Sequence, residues 1–175
     1  MKPLTSVDSI KDPYTKRILS NTLGKDAFKL YSATPTRLQR AVKGLTVKQC
    51  ATPPAKGKWS IAQIVAHLCD AEIVGGWRLR MIIAQSGTAI QAYDEKKWAA
   101  AFRYEKINWK HSLELFATLR KSNVSILESI TKAQWNHFGM HEERGKESVE
   151  RIVQMYAGHD VNHVKQVESI VKNFK

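Results

Sequence analysis

The pair His159 and His163 constrains this chain more than any other feature, because both residues stand inside an apolar helical stripe. Read as a helix, residues 148–174 place Ile152, Tyr156, His159, His163, Val167 and Ile170 three or four positions apart, so the two imidazoles share the face that must be buried. Side chains one turn apart stand about 5–6 Å from each other at Cβ and can converge on one cation from the same side. Two other readings fit the same spacing: polar core residues satisfied by their neighbours, or rings at the rim of the stripe. The pair lacks the glutamate of the HExxH zinc-protease pattern, so spacing alone leaves all three open.

The same periodicity recurs upstream. Ser60 and Gln63 have capping-box spacing, and Trp59 and Ile64 sit where a hydrophobic staple would close over the start of a helix. On that helix Ile64, His67, Ala71 and Val74 share one face, which puts a third histidine on an inward stripe. Gly75-Gly76 predicts a bend or a close neighbour, after which the pattern resumes through Leu79, Met81 and Ile82 to about Gly87. Before it, Asp12-Pro13 and Gly24 bracket a short helix. Another runs from Asp26 through Leu38 to Val42 and ends at Gly44, with Pro35 expected to kink it or to restart it from a Thr34 cap. Residues 52–58 form a loop.

Residues 88–106, with Tyr93, Asp94, Trp98 and Tyr104, form a long connection carrying a short helix; such a crossover lets two successive long helices run parallel. Asn108 caps a third long helix with the stripe Trp109, Ser112 or Leu113, Phe116, Leu119, Asn123, Ile126 and Ile130. A polar loop through His137, His141, Arg144 and Gly145 leads to Ser148, the cap of the last helix. No repeat of fixed period and no useful strand alternation is visible. The expectation is an all-α protein: a four-helix bundle over residues 26–175 preceded by an N-terminal extension, residues 1–25.

At 175 residues the chain suffices for one domain with a substantial core. No apolar run approaches a membrane span, and the start Met1-Lys2-Pro3-Leu4 leads into polar residues, so a cytoplasmic location without membrane association is expected. Cys50 and Cys69 are too few for a disulfide framework and form no CxxC pair. The 28 basic against 16 acidic residues leave a net charge of +12, but they are scattered without a dense run or aromatic interleaving, so nucleic acid is not the expected partner.

Bundle cores build metal sites from side chains on facing helices. One histidine from the second long helix and two from the last give three nitrogen ligands and leave a fourth position for water or substrate, the arrangement of a catalytic rather than a structural centre. At this point the residues carry a family resemblance. Lys58-Trp59-Ser60, His67-Leu68-Cys69-Asp70-Ala71-Glu72, Tyr93-Asp94, His141-Glu142-Glu143-Arg144-Gly145 and the stretch from His159 to Gln166 stand in the order seen in the DinB/YfiT-like superfamily, which the chain resembles over roughly residues 26–172. The resemblance implies a bundle of up-down-down-up topology, often dimeric, with a divalent metal, commonly nickel or zinc, on three histidines. Carried over residue by residue, the ligands are His67, His159 and His163. Relatives are similar to metal-dependent hydrolases or to transferases and isomerases that use a low-molecular-weight thiol as cosubstrate; either class acts on a small molecule. A metal can activate water or a thiol at the same open position.

Two further residues are candidates for catalysis. Asp70, three positions after His67, could orient a ligand or act as a general base, with a solvated helical aspartate as the alternative. Tyr156, one turn before His159, could donate its hydroxyl to a bound oxyanion, with core packing as the alternative. Gln166 could support His163, Asp160 points away from the histidine face into a structural contact, and His141 and Arg144 occupy a loop where substrate contacts are common, although a lone loop histidine is more often exposed. Cys69 faces away from His67, and Trp59, Trp98 and Trp109 read as core or rim anchors. The nonenzymatic alternative is a basic interaction or dimerising module whose histidines hold a structural ion or none.

Overall fold

The computed structural model describes residues 1–174. Four long helices form the bundle: α2 (Ala27–Val42), α4 (Ile61–Ala84), α6 (Trp109–Ser129) and α7 (Val149–Val171). Each starts on a side-chain cap that accepts an otherwise orphaned backbone N–H, from Asp26, Ser60, Asn108 and Ser148 respectively, and Ser60 and Gln63 complete the capping box. Short helices α1 (Pro13–Ser20), α3 (Val47–Ala51) and α5 (Glu95–Ala101) occupy the extension and the connections; α3 is a turn that the periodicity did not disclose.

The topology follows from which ends share a core. One cluster joins Leu38 and Val42, Ile61 to Cys69, Trp109 to Phe116, and Val164 to Val171. The other joins Ala27 and Tyr31, Leu79 and Ile82, Leu127, and Val149 to Ala157. The starts of α4 and α6 therefore meet the ends of α2 and α7, which is the up-down-down-up arrangement, with residues 85–108 as the crossover that makes α4 and α6 parallel. A third cluster seats Val7, Ile18 and Leu19 of the extension on Met155 of α7. There the Ile18 carbonyl lies so close to Gly158 that any Cβ at that position would collide with it, and Asn21 donates to the Gly158 carbonyl (3.2 Å).

Three expectations need correction. Helix α2 does not restart at Pro35: it continues from Ala27 to Val42, and the Thr34 hydroxyl bonds back to the Leu30 carbonyl (3.0 Å) instead of capping. Proline lacks the N–H that would bond the carbonyl four residues earlier, that of Tyr31, and the Arg120 side chain donates to that carbonyl in its place. On α6 the expected stripe is buried at Trp109, Ser112, Leu113, Phe116 and Asn123, but Arg120 and Leu127 take the inward positions next to Leu119 and Ile126, which are only partly buried.

The region read as a polar loop folds into a hairpin of β2 (Phe138–His141) and β3 (Gly145–Ser148), with Gly145 at φ +72° completing the turn. Strand β1 (Thr88–Ile90) from the crossover pairs parallel to β2, Ile90 opposite His141. These strands have three or four residues, too few to show alternation. Among the described residues no helix is long and apolar enough to cross a membrane.

Candidate metal centre

The three histidines meet. His67 Nε2 lies 2.9 Å from His159 Nε2, which in turn lies 3.2 Å from His163 Nε2, and the donor atoms of all three fall within 4.8 Å of one another. His67 comes from α4, and His159 and His163 come from successive turns of α7, which runs antiparallel to it. Trp59, just outside the Ser60 cap, covers the His67 ring at 5.1 Å between centroids.

The donor set fits a cation. Gln166 Oε1 sits 3.1 Å from His163 Nδ1 and accepts its proton, which leaves the Nε2 lone pair free for a ligand bond. The single in-plane position on His159 Nε2 cannot make full hydrogen bonds with both neighbours, while one cation at the centre accepts three lone pairs. An ion about 2.0–2.1 Å from each of two nitrogens holds them about 2.9–3.4 Å apart for angles of roughly 90–110°, and both observed separations lie in that window. The three imidazoles also line a cleft of about 860 Å³, so the remaining coordination directions face open space.

Electrostatics keep the rings neutral, as ligation requires. Burial, helped by the neighbouring His163, depresses His67 to about 3; burial depresses His163 to about 4 against the pull of Gln166; burial and the other two rings hold His159 well below the usual histidine range. The unfolded chain therefore takes up protons below pH 6.5 while the folded, metal-free chain does not. The histidine contribution to stability falls as pH drops from 6.5 toward 4, by up to about 1.4 kcal/mol per pH unit for each ring, while the raised Asp160 carboxyl works in the opposite direction. Urea unfolding of chelator-treated protein between pH 7.5 and 4.5 measures this slope. A variant with all three histidines replaced by glutamine is expected to show a clearly shallower one.

Behind the imidazoles lies a buried ionic network that sequence reasoning missed. Arg120 of α6 pairs with Glu72 of α4 and Asp160 of α7, each at 2.7 Å, and its guanidinium stacks 3.6 Å from the Tyr31 ring centroid. Tyr31 and Asn123 both donate to Glu72 Oε1 at 2.7 Å. Burial raises Asp160 to about 6 against the pull of Arg120. The network ties α2, α4, α6 and α7 together at the level of the site, and it supplies the structural contact expected of Asp160. The only sequence signal for Arg120 is its spacing of four from Phe116.

The remaining candidates divide. Tyr156 lines the cleft, its ring packed over Gly75 so closely that a Cβ there would stand 2.6 Å from Tyr156 Cε1. Burial lifts its hydroxyl to about 12, so at neutral pH it is a donor. Asp70 is not brought to the cleft: its Oδ2 accepts the Tyr104 hydroxyl at 2.5 Å, because its position on α4 turns it toward the 3-10 turn at Tyr104–Lys106. Gln166 reaches His163 as described. His141 is not an exposed loop residue; it ends β2, is 3% exposed and lines the cleft with Arg144. Cys69 is buried away from the cleft, and burial lifts its thiol to about 12. The extension also contributes Lys11, Tyr14 and Arg17 to the cleft wall, which no pattern in residues 1–25 announced.

A four-helix bundle of this topology, with three imidazoles converging on an open cleft, defines the class of helical bundles whose facing helices carry a histidine cluster that could hold a cation. The profile of the DinB superfamily matches residues 30–167, and the chain belongs to that superfamily. Curated relatives include a protein of Oceanobacillus iheyensis named "Putative metal-dependent hydrolase", 29% identical over 138 residues (79% of this chain, 80% of that protein). A protein of Geobacillus kaustophilus with the same description is 30% identical over 139 residues, covering 79% of this chain and 78% of its own length. Among solved structures, YfiT from Bacillus subtilis, described as "a probable metal-dependent hydrolase with an unusual four-helix bundle topology", superposes with a TM-score of 0.78 at 21% identity, covering 99% of this chain and 95% of that one. That likeness establishes the shared fold.

Proposed function

We propose that this chain is a divalent-metal-dependent hydrolase of a small molecule, with His67, His159 and His163 as ligands. The observation that carries the reading is the convergence of three ring nitrogens at 2.9 and 3.2 Å on the wall of an open cleft. The names of the curated relatives support the same class. A divalent ion held there supplies Lewis acidity, polarising a carbonyl or phosphoryl oxygen and making water a nucleophile at neutral pH. Nickel or zinc suits an imidazole set.

The chain's own groups do the rest. Gln166 fixes the His163 tautomer, Trp59 shields His67 from bulk water, and the protonated Tyr156 hydroxyl stands one turn from His159, where it donates to charge developing on a substrate oxygen. A general-base role for Asp70 requires it to leave Tyr104, so Tyr156 is the stronger catalytic candidate. Residues 1–25 serve as an extension that walls the cleft beside the bundle domain. Ile73 and Trp77, exposed one turn apart on α4, support a homodimer, and we take the cytoplasm as its location.

The cleft volume, about 860 Å³, favours one further reading, in which a low-molecular-weight thiol cosubstrate replaces water as the nucleophile. Incubating the metal-loaded protein with a panel of esters and amides, and separately with thiols and an electrophile, separates the two. Thiol-independent, chelator-sensitive hydrolysis is expected. Turnover only when a thiol is supplied would replace the hydrolase reading with the transferase one, and no turnover in either arm would leave a binding module.

A further inference from the structure

The same cleft has a second pole, and its chemistry differs from that of the imidazoles. Arg78 lies eleven residues after His67 on one face of α4, about 16 Å along the axis. Arg151 lies eight residues before His159 on α7, about 12 Å along its axis. Because α4 and α7 are antiparallel, both arginines are displaced toward the same end of the bundle. His141, at the end of β2, lines the cleft with them.

These three side chains carry donors that find no acceptor on the protein. Arg78 is 7% exposed; its Nη2 donates to the Gln91 carbonyl at 2.6 Å, but its Nε–H has no partner. Arg151 Nη1 is buried and likewise unpartnered. The Glu143 backbone N–H donates to His141 Nδ1 at 3.2 Å, which places the imidazole proton on Nε2, and that buried donor is also unpartnered. Burial and the nearby Arg144 keep this ring neutral.

Of the other cleft cations, Lys11 is exposed to solvent and the rest are engaged. Arg144 makes a two-pronged pair with Glu147 at 2.9 Å for both bonds, Lys146 lies over the Phe138 ring, and Arg17 donates to Asn162. Glu95 and Glu143, the unpaired acids of the cleft wall, are exposed. Leaving a buried donor unpaired is costly, the more so for a charged group, so three on residues that line one cleft mark a place for an anion.

We propose that the wall formed by Arg78, Arg151 and His141 is an oxyanion-binding subsite, which takes the carboxylate or phosphate of a substrate whose reacting group extends to the three imidazoles. The extent of the substrate rests on the function proposed above; the subsite itself does not. It defines the substrate class as elongated and anionic at one end, with Tyr156 between the two poles.

The test uses the full chain as purified, titrated calorimetrically with phenyl phosphate, with phenylacetate, and with neutral 2-phenylethanol. At least one anion is expected to bind and the alcohol not, and the stronger anion identifies the group the subsite takes. Arg78→Met and Arg151→Met are each expected to weaken that anion at least tenfold, while Arg78→Lys weakens it less. His163→Ala is expected to leave it unchanged. In the wild-type protein, which needs no variant to fold, the Arg78 Nε–H resonance is expected to shift on anion addition. Anions binding no better than the alcohol, an unmoved resonance, or affinity lost in His163→Ala and retained in the arginine variants would each overturn the subsite. Anion binding without any metal on the imidazoles would instead sink the hydrolase reading alone.

Discussion

Replacing His163 by alanine is expected to strip most of the bound metal, from about one divalent ion per chain to a small fraction, and to abolish metal-dependent turnover. Four-ligand zinc sites release about 10–16 kcal/mol, so one ligand accounts for roughly 3 kcal/mol, or about a hundredfold in affinity. His163 is the informative choice because its Nδ1 is held by Gln166, and the ring has no other visible task than to present Nε2 to the centre. Elemental analysis of protein purified without added metal, beside the same analysis of the variant, makes the comparison. Gln166→Leu should fall between the two, because it frees the His163 tautomer and orientation without removing a ligand; such supporting contacts typically contribute about 10–100-fold in affinity. Equal metal content in wild type and His163→Ala would refute the ligand assignment.

Arg120→Met is the substitution expected to cost most in stability. It leaves Glu72 and Asp160 buried without their counter-charge and the Tyr31 carbonyl, already deprived of a helical partner by Pro35, without a donor. Removing one member of a buried ion network costs about 3–5 kcal/mol, which for a chain of this size lowers the thermal midpoint by roughly 6–20 °C. The pH dependence has a definite sign. Without Arg120 the buried Asp160 carboxyl rises further above its unfolded value, so the folded variant binds a proton that the unfolded chain releases. Its deficit relative to wild type is therefore largest at neutral pH and shrinks on acidification toward pH 4. Denaturant titrations of both proteins at pH 7 and 4.5 measure it; a deficit that grows in acid would show that the charges are not what holds this level of the bundle.

The two results read different parts of the same level of the bundle. His159 and Asp160 are neighbours on α7, one facing the cleft and the other the Arg120 network. Metal loss without unfolding in His163→Ala, and unfolding in Arg120→Met, would separate ligation from scaffolding.

Local chemistry makes much of this architecture legible in the sequence. The caps Asp26, Ser60, Asn108 and Ser148 mark helix starts because each supplies an oxygen to backbone N–H groups a few residues away, an interaction contained within one turn. His67, His159 and His163 could be picked out because an imidazole on a buried stripe conflicts with simple burial, and the conflict is visible in spacing alone. What only the tertiary structure decided depends on partners distant in sequence. Strand β1 pairs with β2 across about fifty residues, Asp70 turns to Tyr104, and Arg120 is buried because Glu72, Asp160 and the carbonyl freed by Pro35 meet it from three other helices. The second pole of the cleft was hidden for the same reason: Arg78, Arg151 and His141 are ordinary polar residues in their own segments, and become a common set of unpaired donors only when antiparallel packing and the hairpin bring them to one wall.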